Sequence, residues 1–273
     1  MGAPGLGKST TLLKLAERLI GLADDAQIAG TAPVPYIFEL SAWRDDKQDI
    51  VDWLVSQLVF DCSIDPKIGY EWIKNNRLVP LLDGLDELAA ERQKVCVAKI
   101  NEFAKFAGQQ VVVCCRSEEY NAVSIQLDEL RGALCLQPLT KQQIKQYLID
   151  ADRRKVWRDI QKSSELSELL DMSEKVLPDG TIEIPFIKIP LFLQMLAVSR
   201  TETSKIETKQ DLFDVYISYQ LQSQSWADYQ RRKDSNLSAE QEHISRTQTI
   251  SYLSWLAKQL NDNNLTNNFL IEQ

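Results

Sequence analysis

Apolar residues recur along the chain with two different spacings, which predict alternating helices and strands. Three segments carry apolar residues at helical spacing: 12–20, 50–60 and 95–106. Three short apolar runs predict buried strands: 35–43, 78–83 and 110–115. Helices that alternate with strands favour a parallel sheet covered on both faces, so the first half of the chain predicts an α/β fold.

The strand pattern fades after about residue 139, and helical spacing dominates from there onward. This change predicts a first domain over residues 1–139 and a small helical domain over 140–234. Another helix begins near residue 235 and opens a third region, 235–273, which the chain only begins. The run Leu177–Gly180 predicts a turn, and the four residues after it predict a short hairpin arm.

Composition and charge narrow the function classes. The chain has 273 residues, enough for one large or two modest domains with a sizeable core. Its net charge of −8 repels nucleic acid, so no direct nucleic-acid binding is expected. Two basic clusters, within 153–158 and 231–233, are interpreted as solvated helix faces.

The chain carries no signal for a membrane or for export. No apolar run approaches the roughly 20 residues that a membrane helix needs, and no signal-peptide pattern is present. The five cysteines show no metal-ligand spacing, and the adjacent Cys114 and Cys115 should point to opposite faces of a strand. Reduced core cysteines and a cytoplasmic location are therefore predicted.

The N-terminal segment matches a phosphate-binding loop. Residues 2–9 fit the pattern G-x-x-x-x-G-K-[ST], the Walker A motif, at every fixed position. Glycines let backbone N–H groups turn toward phosphates, Lys8 supplies a positive charge, and the Ser9 hydroxyl can bind Mg²⁺. The residues expected to contact the nucleotide are Gly2, Ala3, Pro4, Gly5, Leu6, Gly7, Lys8, Ser9 and Thr10. The competing interpretation is a glycine-rich tail ahead of an amphipathic helix.

One feature departs from the usual arrangement of such loops. A phosphate-binding loop normally follows a buried strand in the middle of the sheet, and here only Met1 precedes Gly2. We therefore expect a sheet without its first strand, in a chain truncated at its N-terminus.

A second apolar run ends in a group of acidic residues. Leu78–Leu88 contains a predicted strand that ends at Asp83, as a Walker B strand does. Asp83 would hold Mg²⁺ opposite Ser9, and Asp86 and Glu87 would orient or deprotonate the attacking water. The competing interpretation is an ordinary Asp-Gly turn after a strand.

Residues Leu81–Glu87, Leu-Leu-Asp-Gly-Leu-Asp-Glu, resemble the signature of the NACHT family. NACHT proteins are STAND-class P-loop NTPases, found in animal innate immunity and in many bacterial, notably cyanobacterial, proteins. The resemblance implies ATP or ADP with Mg²⁺ as ligands, cytoplasmic signalling, and self-association through the full-length protein. It also implies effector and sensor domains outside this chain.

Weaker matches to the family continue along the chain. Gln110–Ser117 resembles sensor 1, which implies that Arg116 senses the γ-phosphate, although a surface arginine closing a strand is the alternative. Leu136–Thr140 resembles the last strand before the helical domain.

Ile189–Leu196 resembles the proline motif, which implies that Pro190 packs on adenine, although proline is common at helix starts. Residues 212–217 resemble the helix leading to a winged-helix region, which 235–273 would begin. The sole histidine, His243, receives no role.

Three functions remain open at this point. The first is a nucleotide switch with slow ATP hydrolysis, in which ATP and ADP favour different arrangements of the helical region. The second is a fast motor or a kinase, for which no acceptor pocket or lid can be assigned. The third is a truncated scaffold that binds no nucleotide. The Asp-Gly-Leu-Asp-Glu run favours the switch.

Overall fold

The structure, a computed structural model, describes residues 1–23, 33–106, 109–122, 126–178, 182–199, 206–221 and 246–262. It contains two compact units, Met1–Gln137 and Pro138–Gln273. The first boundary lies two residues before the predicted end of the first domain. The boundary predicted near residue 235 lies outside the described residues.

The first unit is an α/β structure built on a small parallel sheet. Its helices are α1 (Lys8–Ala23), α2 (Ile50–Cys62), α3 (Pro66–Lys74), α4 (Ala90–Ala104) and α5 (Ser117–Ala122). Its strands are β1 (Val34–Glu39), β2 (Leu78–Asp83) and β3 (Val112–Val113), in the order β1-β2-β3 with both pairs parallel. The predicted α/β class with a parallel sheet is confirmed.

Both faces of the sheet are covered, as the alternation of helices and strands predicts. On one face, Leu12 of α1 packs with Val79, Leu81 and Cys114. On the other face lies a larger core formed by α2, α4 and the sheet, whose fully buried side chains include Trp53, Leu58, Leu82, Ile100 and Cys115. Neighbouring residues of a strand point to opposite faces, which is why Leu81 and Leu82 belong to different cores. Cys114 and Cys115 are separated in the same way, as predicted.

Local capping defines where two of these helices begin. The Asp49 carboxylate accepts a hydrogen bond from the Val51 amide at 2.8 Å and caps α2. The Asp65 carboxylate does the same for Lys67, and Pro66 occupies the first position of α3. Both aspartates satisfy backbone donors that a helix leaves unpaired in its first turn.

The structure differs from the sequence predictions in the length of several elements. The strand expected over 35–43 ends at Glu39, because Leu40–Ala42 form a 3₁₀ turn that buries Leu40 and Trp43. The strand expected over 110–115 is reduced to Val112–Val113. In α1, Leu13 and Ile20 belong to the segment 12–20, whose apolar residues have helical spacing, but their side chains are exposed.

No strand is assigned over Leu136–Thr140, where the last strand was expected. The Leu136 amide donates a hydrogen bond to the carbonyl of Met1 at 2.8 Å, and the three residues beyond the unit boundary, 138–140, lead into a helix. Met1 alone offers too few backbone groups to pair with this segment as a β-strand would.

The second unit is mainly helical in its described part. Its elements are α6 (Lys141–Asp150), α7 (Arg154–Lys162), α8 (Ser164–Asp171), β4 (Lys175–Val176), β5 (Ile182–Glu183), α9 (Pro190–Val198), α10 (209–221) and α11 (Arg246–Asp262). Thr140 and Gln143 form a reciprocal capping box that starts α6. Antiparallel pairing of β4 with β5 confirms the predicted hairpin arm.

The first basic cluster is only partly a solvated helix face. Arg154, Lys155 and Arg158 are exposed, but Arg153 is half-buried and donates a hydrogen bond to the Ala197 carbonyl at 3.0 Å. Three other sets of residues discussed above fall outside the described residues: 179–181, 231–233 and His243. None of the described helices is long and apolar enough to cross a membrane.

Candidate functional site

The segment matching a phosphate-binding loop leads directly into α1. Gly5 has a φ of 76° and Gly7 a φ of 90°, a left-handed conformation that strongly favours glycine. The Leu6 amide donates to the Ala3 carbonyl at 3.3 Å, which closes a turn, and the Thr11 amide donates to Gly7 at 2.8 Å. The first turn of α1 contains no acidic residue, so the positive end of the helix dipole is not neutralised there.

The Lys8 side chain folds back over this loop. Its ammonium nitrogen donates to the carbonyl of Gly2 at 3.1 Å and to that of Ala3 at 3.4 Å. The ammonium therefore lies against the backbone of the first two residues of the loop. Ser9 and Thr10 are exposed, and neither hydroxyl makes a hydrogen bond within the described part of the chain.

Asp83 lies at the end of β2, where the sequence predicts it. Its carboxylate accepts a hydrogen bond from the Gly84 amide at 3.0 Å, and only 9% of the residue is exposed. Gly84 has a φ of 81°, so the chain turns sharply after the strand at a position that glycine suits. The turn directs Leu85–Glu87 into a short 3₁₀ helix above the carboxyl edge of the sheet.

Cys114 connects the two halves of the predicted site. Its sulfur lies 4.0 Å from the carbonyl oxygen of Lys8, and its amide donates to Leu82 at 2.8 Å, next to Asp83. Burial raises the pKa of the Cys114 thiol to about 11; the Asp83 charge adds to the rise and the Lys8 charge opposes it. Cys114 thus contacts both the first residue of α1 and the residue before Asp83, so the fold brings the loop and the strand end together.

Asp86 and Arg116 contact each other. The Asp86 carboxylate accepts hydrogen bonds from the backbone amide of Arg116 at 3.0 Å and from its guanidinium at 2.9 Å. Only 7% of the Asp86 side chain is exposed, and Glu119 makes a second ion pair with Arg116 at 3.2 Å. Asp86 positions the Arg116 side chain. Because its carboxylate is already bonded to Arg116, Asp86 is less suited than Glu87 to accept a proton.

Glu87 is the carboxylate best placed to act as a base. Much of Glu87 is accessible to solvent although part of it is buried, and none of the described residues donates a hydrogen bond to its side chain. Partial burial raises the pKa of Glu87, the Asp86 and Asp83 carboxylates raise it further, and Arg116 opposes the rise. A carboxylate with a raised pKa is a stronger proton acceptor than an ordinary one. The sequence predicts the same role for Asp86 and Glu87, but in the structure Asp86 is paired with Arg116 and Glu87 is not.

Glu39 belongs to the same group of acids, although it is not among the site residues predicted from the sequence. It pairs with Asp83 in the parallel register of β1 and β2, so both lie at the carboxyl edge of the sheet. Partial burial raises the pKa of Glu39, and the Asp83 and Glu87 carboxylates raise it further. The sequence feature that could have indicated Glu39 is its position as a charged residue directly after the apolar run Tyr36–Phe38.

Glu39→Gln is expected to raise the melting temperature of the protein by about 1–2 °C at pH 8. A carboxyl group with a raised pKa opposes folding at any pH where it is ionised, and glutamine removes that charge. The gain should shrink as pH falls through the raised pKa, because the native carboxyl is then neutral as well. Melting curves at pH 8 and at pH 4.5 check this, and an equal gain at both would contradict it.

The donor chemistry of Ser9 and Asp83 suits Mg²⁺, which commonly takes one or two protein oxygens and completes its shell with phosphate and water. No cluster of three His, Cys, Asp or Glu residues capable of holding a metal occurs among the described residues, so an all-protein metal cage is not indicated there. Pro190 belongs to the second unit, half-buried at the first position of α9, and its contact with adenine stays a prediction.

Comparison of the chain with protein-family models gave no match, and no curated protein matches it either.

Proposed function

We propose that the first unit binds ATP or ADP together with Mg²⁺, and that the chain is the nucleotide-binding part of a NACHT-type switch with slow ATP hydrolysis. One observation supports the proposal: Cys114 contacts both the start of α1 and the end of β2, with its sulfur 4.0 Å from the Lys8 carbonyl oxygen and its amide bonded to Leu82, the residue before Asp83. A cation at a glycine loop and a buried carboxylate at a strand end are the two charges that a metal-bound triphosphate requires.

Each residue of the site has a role in this proposal. The amides at the start of α1 and the Lys8 ammonium bind the phosphates, and Ser9 and Asp83 supply oxygens to the metal. Bound Mg²⁺ would neutralise the negative charge that develops on the phosphate oxygens during phosphoryl transfer. Glu87 accepts the proton of the attacking water, and Asp86 keeps Arg116 at the sheet edge.

The switch itself involves the second unit. ATP and ADP shift a conformational equilibrium only if its two states bind them with different affinity. Arg116 in the first unit and Pro190 in the second are the residues proposed to differ in their contacts with the two nucleotides. Control of self-association, and of effector and sensor domains in a longer protein, would follow from that equilibrium.

The binding step is tested by melting the protein with and without Mg-ATP or Mg-ADP. A ligand at about 100 times its dissociation constant, bound only by the folded state, adds roughly 2.7 kcal/mol of stability. We expect this shift for the native chain and none for Lys8→Ala. Lys14→Ala is the matched control, because Lys14 lies on the same helix with an exposed side chain paired to Glu17.

The alternatives give different outcomes in the same experiment. An absence of any shift in the native chain would contradict the proposal and favour a scaffold that binds no nucleotide. An equal shift in the native chain and Lys8→Ala would place the nucleotide away from the loop. Where a shift occurs, turnover slower than about one per second favours the switch over a motor or kinase, which typically reaches about 1–100 per second.

A further inference from the structure

The two acids at the carboxyl edge of the sheet are followed by turns of the same kind. Glu39 at the end of β1 leads into the 3₁₀ turn Leu40–Ala42, and Asp83 at the end of β2 leads, through one glycine, into the 3₁₀ helix Leu85–Glu87. These two segments contact each other, and the first leucine of each is fully buried in the same core. The segments that follow the two acids are therefore packed together.

The position of the Glu87 carboxylate depends on the backbone around it. A Cβ atom at Gly84 would lie 3.3 Å from the Glu87 carboxyl carbon, so the carboxyl group lies against the backbone of the turn. Helix α4 begins only three residues after Glu87, at Ala90, and its N-cap residue is Ala89. An alanine side chain has no oxygen to cap a helix, so the first turn of α4 depends on other contacts for its position.

Arg92, in the first turn of α4, supplies such contacts. Its Nε donates a hydrogen bond to the Asp46 carboxylate at 2.8 Å, and its Nη2 donates to the Trp43 carbonyl. The guanidinium also lies 5.7 Å from the centre of the Trp43 ring. Trp43 is buried and directly follows the 3₁₀ turn after β1. A planar guanidinium with several fixed donors can bind two acceptors at once, which the single ammonium of a lysine does not do in the same geometry.

The loop that Arg92 binds is ordered by its own hydrogen bonds. The Asp45 carboxylate accepts a hydrogen bond from the Lys47 amide at 2.9 Å, and the Asp45 carbonyl accepts one from the Gln48 amide at 3.1 Å. Asp49 then caps α2. Arg92 therefore connects the start of α4 to a structured loop, which is what a supporting contact requires.

We propose that Arg92 is a positioning residue for Glu87: it holds the start of α4 against the loop 43–46 and thereby fixes the turn that carries the Glu87 carboxylate. The inference rests on the proposed hydrolysis, in which Glu87 accepts the proton of the attacking water. Arg92 itself contacts neither the phosphates nor the metal.

The effect on turnover should exceed the effect on stability. The Arg92–Asp46 ion pair is partly exposed, with 30% and 44% of the two side chains accessible, so its loss should cost the fold little. A displaced base costs the reaction far more, because a misplacement of about 1 Å can lower a rate about 100-fold.

Arg92→Ala is expected to lower kcat for ATP about 10- to 100-fold, to change KM less than about twofold, and to lower the melting temperature by only a few degrees. Asp46→Asn removes one of the two acceptors less drastically and should give a smaller loss of the same kind. In a Glu87→Gln background, Arg92→Ala should lower kcat less than about twofold further, because the base that Arg92 positions is already absent. Lys94→Ala is the matched control, because Lys94 pairs with Glu91 within the same helix.

Amide exchange measured without nucleotide gives a readout that needs no turnover. The amides of Glu87, Leu88 and Gln93 form backbone hydrogen bonds in the turn and the start of α4. Arg92→Ala should make their exchange at least about tenfold faster, and Lys94→Ala should leave it unaltered.

Three results would overturn the proposal. One is unaltered exchange of these amides in Arg92→Ala, and another is an unaltered kcat in both Arg92→Ala and Asp46→Asn. The third is an equal loss of kcat from Arg92→Ala in the native and Glu87→Gln backgrounds. A native chain that neither binds nor hydrolyses ATP would contradict the proposed function instead, and faster exchange in Arg92→Ala would then still support the positioning of the turn by Arg92.

Discussion

Glu87→Gln is expected to slow ATP turnover about 100- to 10,000-fold and to leave the melting shift with Mg-ATP unchanged. Glutamine keeps the size of the side chain and cannot accept a proton. Lys8 and Asp83, which are proposed to hold the phosphates and the metal, are unaltered by this change. Single-turnover hydrolysis measured beside melting curves separates the chemical step from binding.

The pH dependence of turnover gives a second readout of Glu87. A general base acts when it is deprotonated, so turnover should rise as pH passes through the pKa of Glu87. That pKa lies above the ordinary value of 4.5, because partial burial and the Asp86 and Asp83 carboxylates disfavour the charge. The rise should therefore occur at higher pH than for an unperturbed glutamate, and it should be absent from the residual activity of Glu87→Gln.

Glu91→Gln is the matched control for this experiment. Glu91 lies in the first turn of α4, and its exposed carboxylate pairs with Lys94 at 2.8 Å. Its replacement should alter neither turnover nor binding. Parallel losses of turnover and binding in Glu87→Gln, or unaltered turnover, would remove Glu87 from the role of base.

Arg116→Ala is expected to lower the free energy of unfolding of the first unit by about 2–3 kcal/mol. The substitution leaves the nearly buried Asp86 carboxylate without its guanidinium partner. An unpaired buried charge costs far more than the loss of an exposed ion pair. Chemical denaturation followed by circular dichroism measures the difference.

The double variant Arg116→Ala with Asp86→Asn tests this cause. Asparagine removes the stranded charge, so the double variant should be more stable than Arg116→Ala alone. Lys141→Ala removes the exposed ion pair with Asp171 in the second unit and should change stability by less than about 0.5 kcal/mol. If Arg116→Ala matches that small effect, the Asp86–Arg116 pair contributes nothing measurable to the fold.

The same variants bear on nucleotide sensing. If Arg116 senses the γ-phosphate, its removal should reduce the difference between the melting shifts with Mg-ATP and Mg-ADP. A variant that loses stability and keeps the full ATP–ADP difference would assign Arg116 a structural role only.

The sequence predicts those parts of the fold that depend on local patterns. The helices α1, α2 and α4, the strand β2 and the hairpin of β4 with β5 all follow from spacing or turn residues that lie within one short segment. The opposite orientation of Cys114 and Cys115 follows from the pleat of a strand. Each of these predictions needs no knowledge of what the segment packs against.

The parts that failed depend on distant partners. β3 is short because strand length depends on pairing, and among the described residues β3 pairs with β2 alone. Residues 136–140 have strand-like composition, but their amides bond to two separate places, Leu136 to Met1 and Leu139 to Lys188, and to no neighbouring strand among the described residues. Glu39 was missed because its nearness to Asp83 arises from the register between two strands about 40 residues apart, which no local pattern encodes. The Asp86–Arg116 pair is a contact of the same kind.

The buried thiols of the first unit allow its local unfolding to be measured by thiol labelling. Burial raises the pKa of Cys96 and Cys115 to about 12 and that of Cys114 to about 11, so all three are protonated and unreactive at neutral pH. Cys62 and Cys135 are exposed. A thiol-specific label should therefore modify two cysteines at once and the other three only as the sheet opens. The rate at which the three buried cysteines are labelled therefore reports local unfolding of the first unit, and no probe has to be introduced.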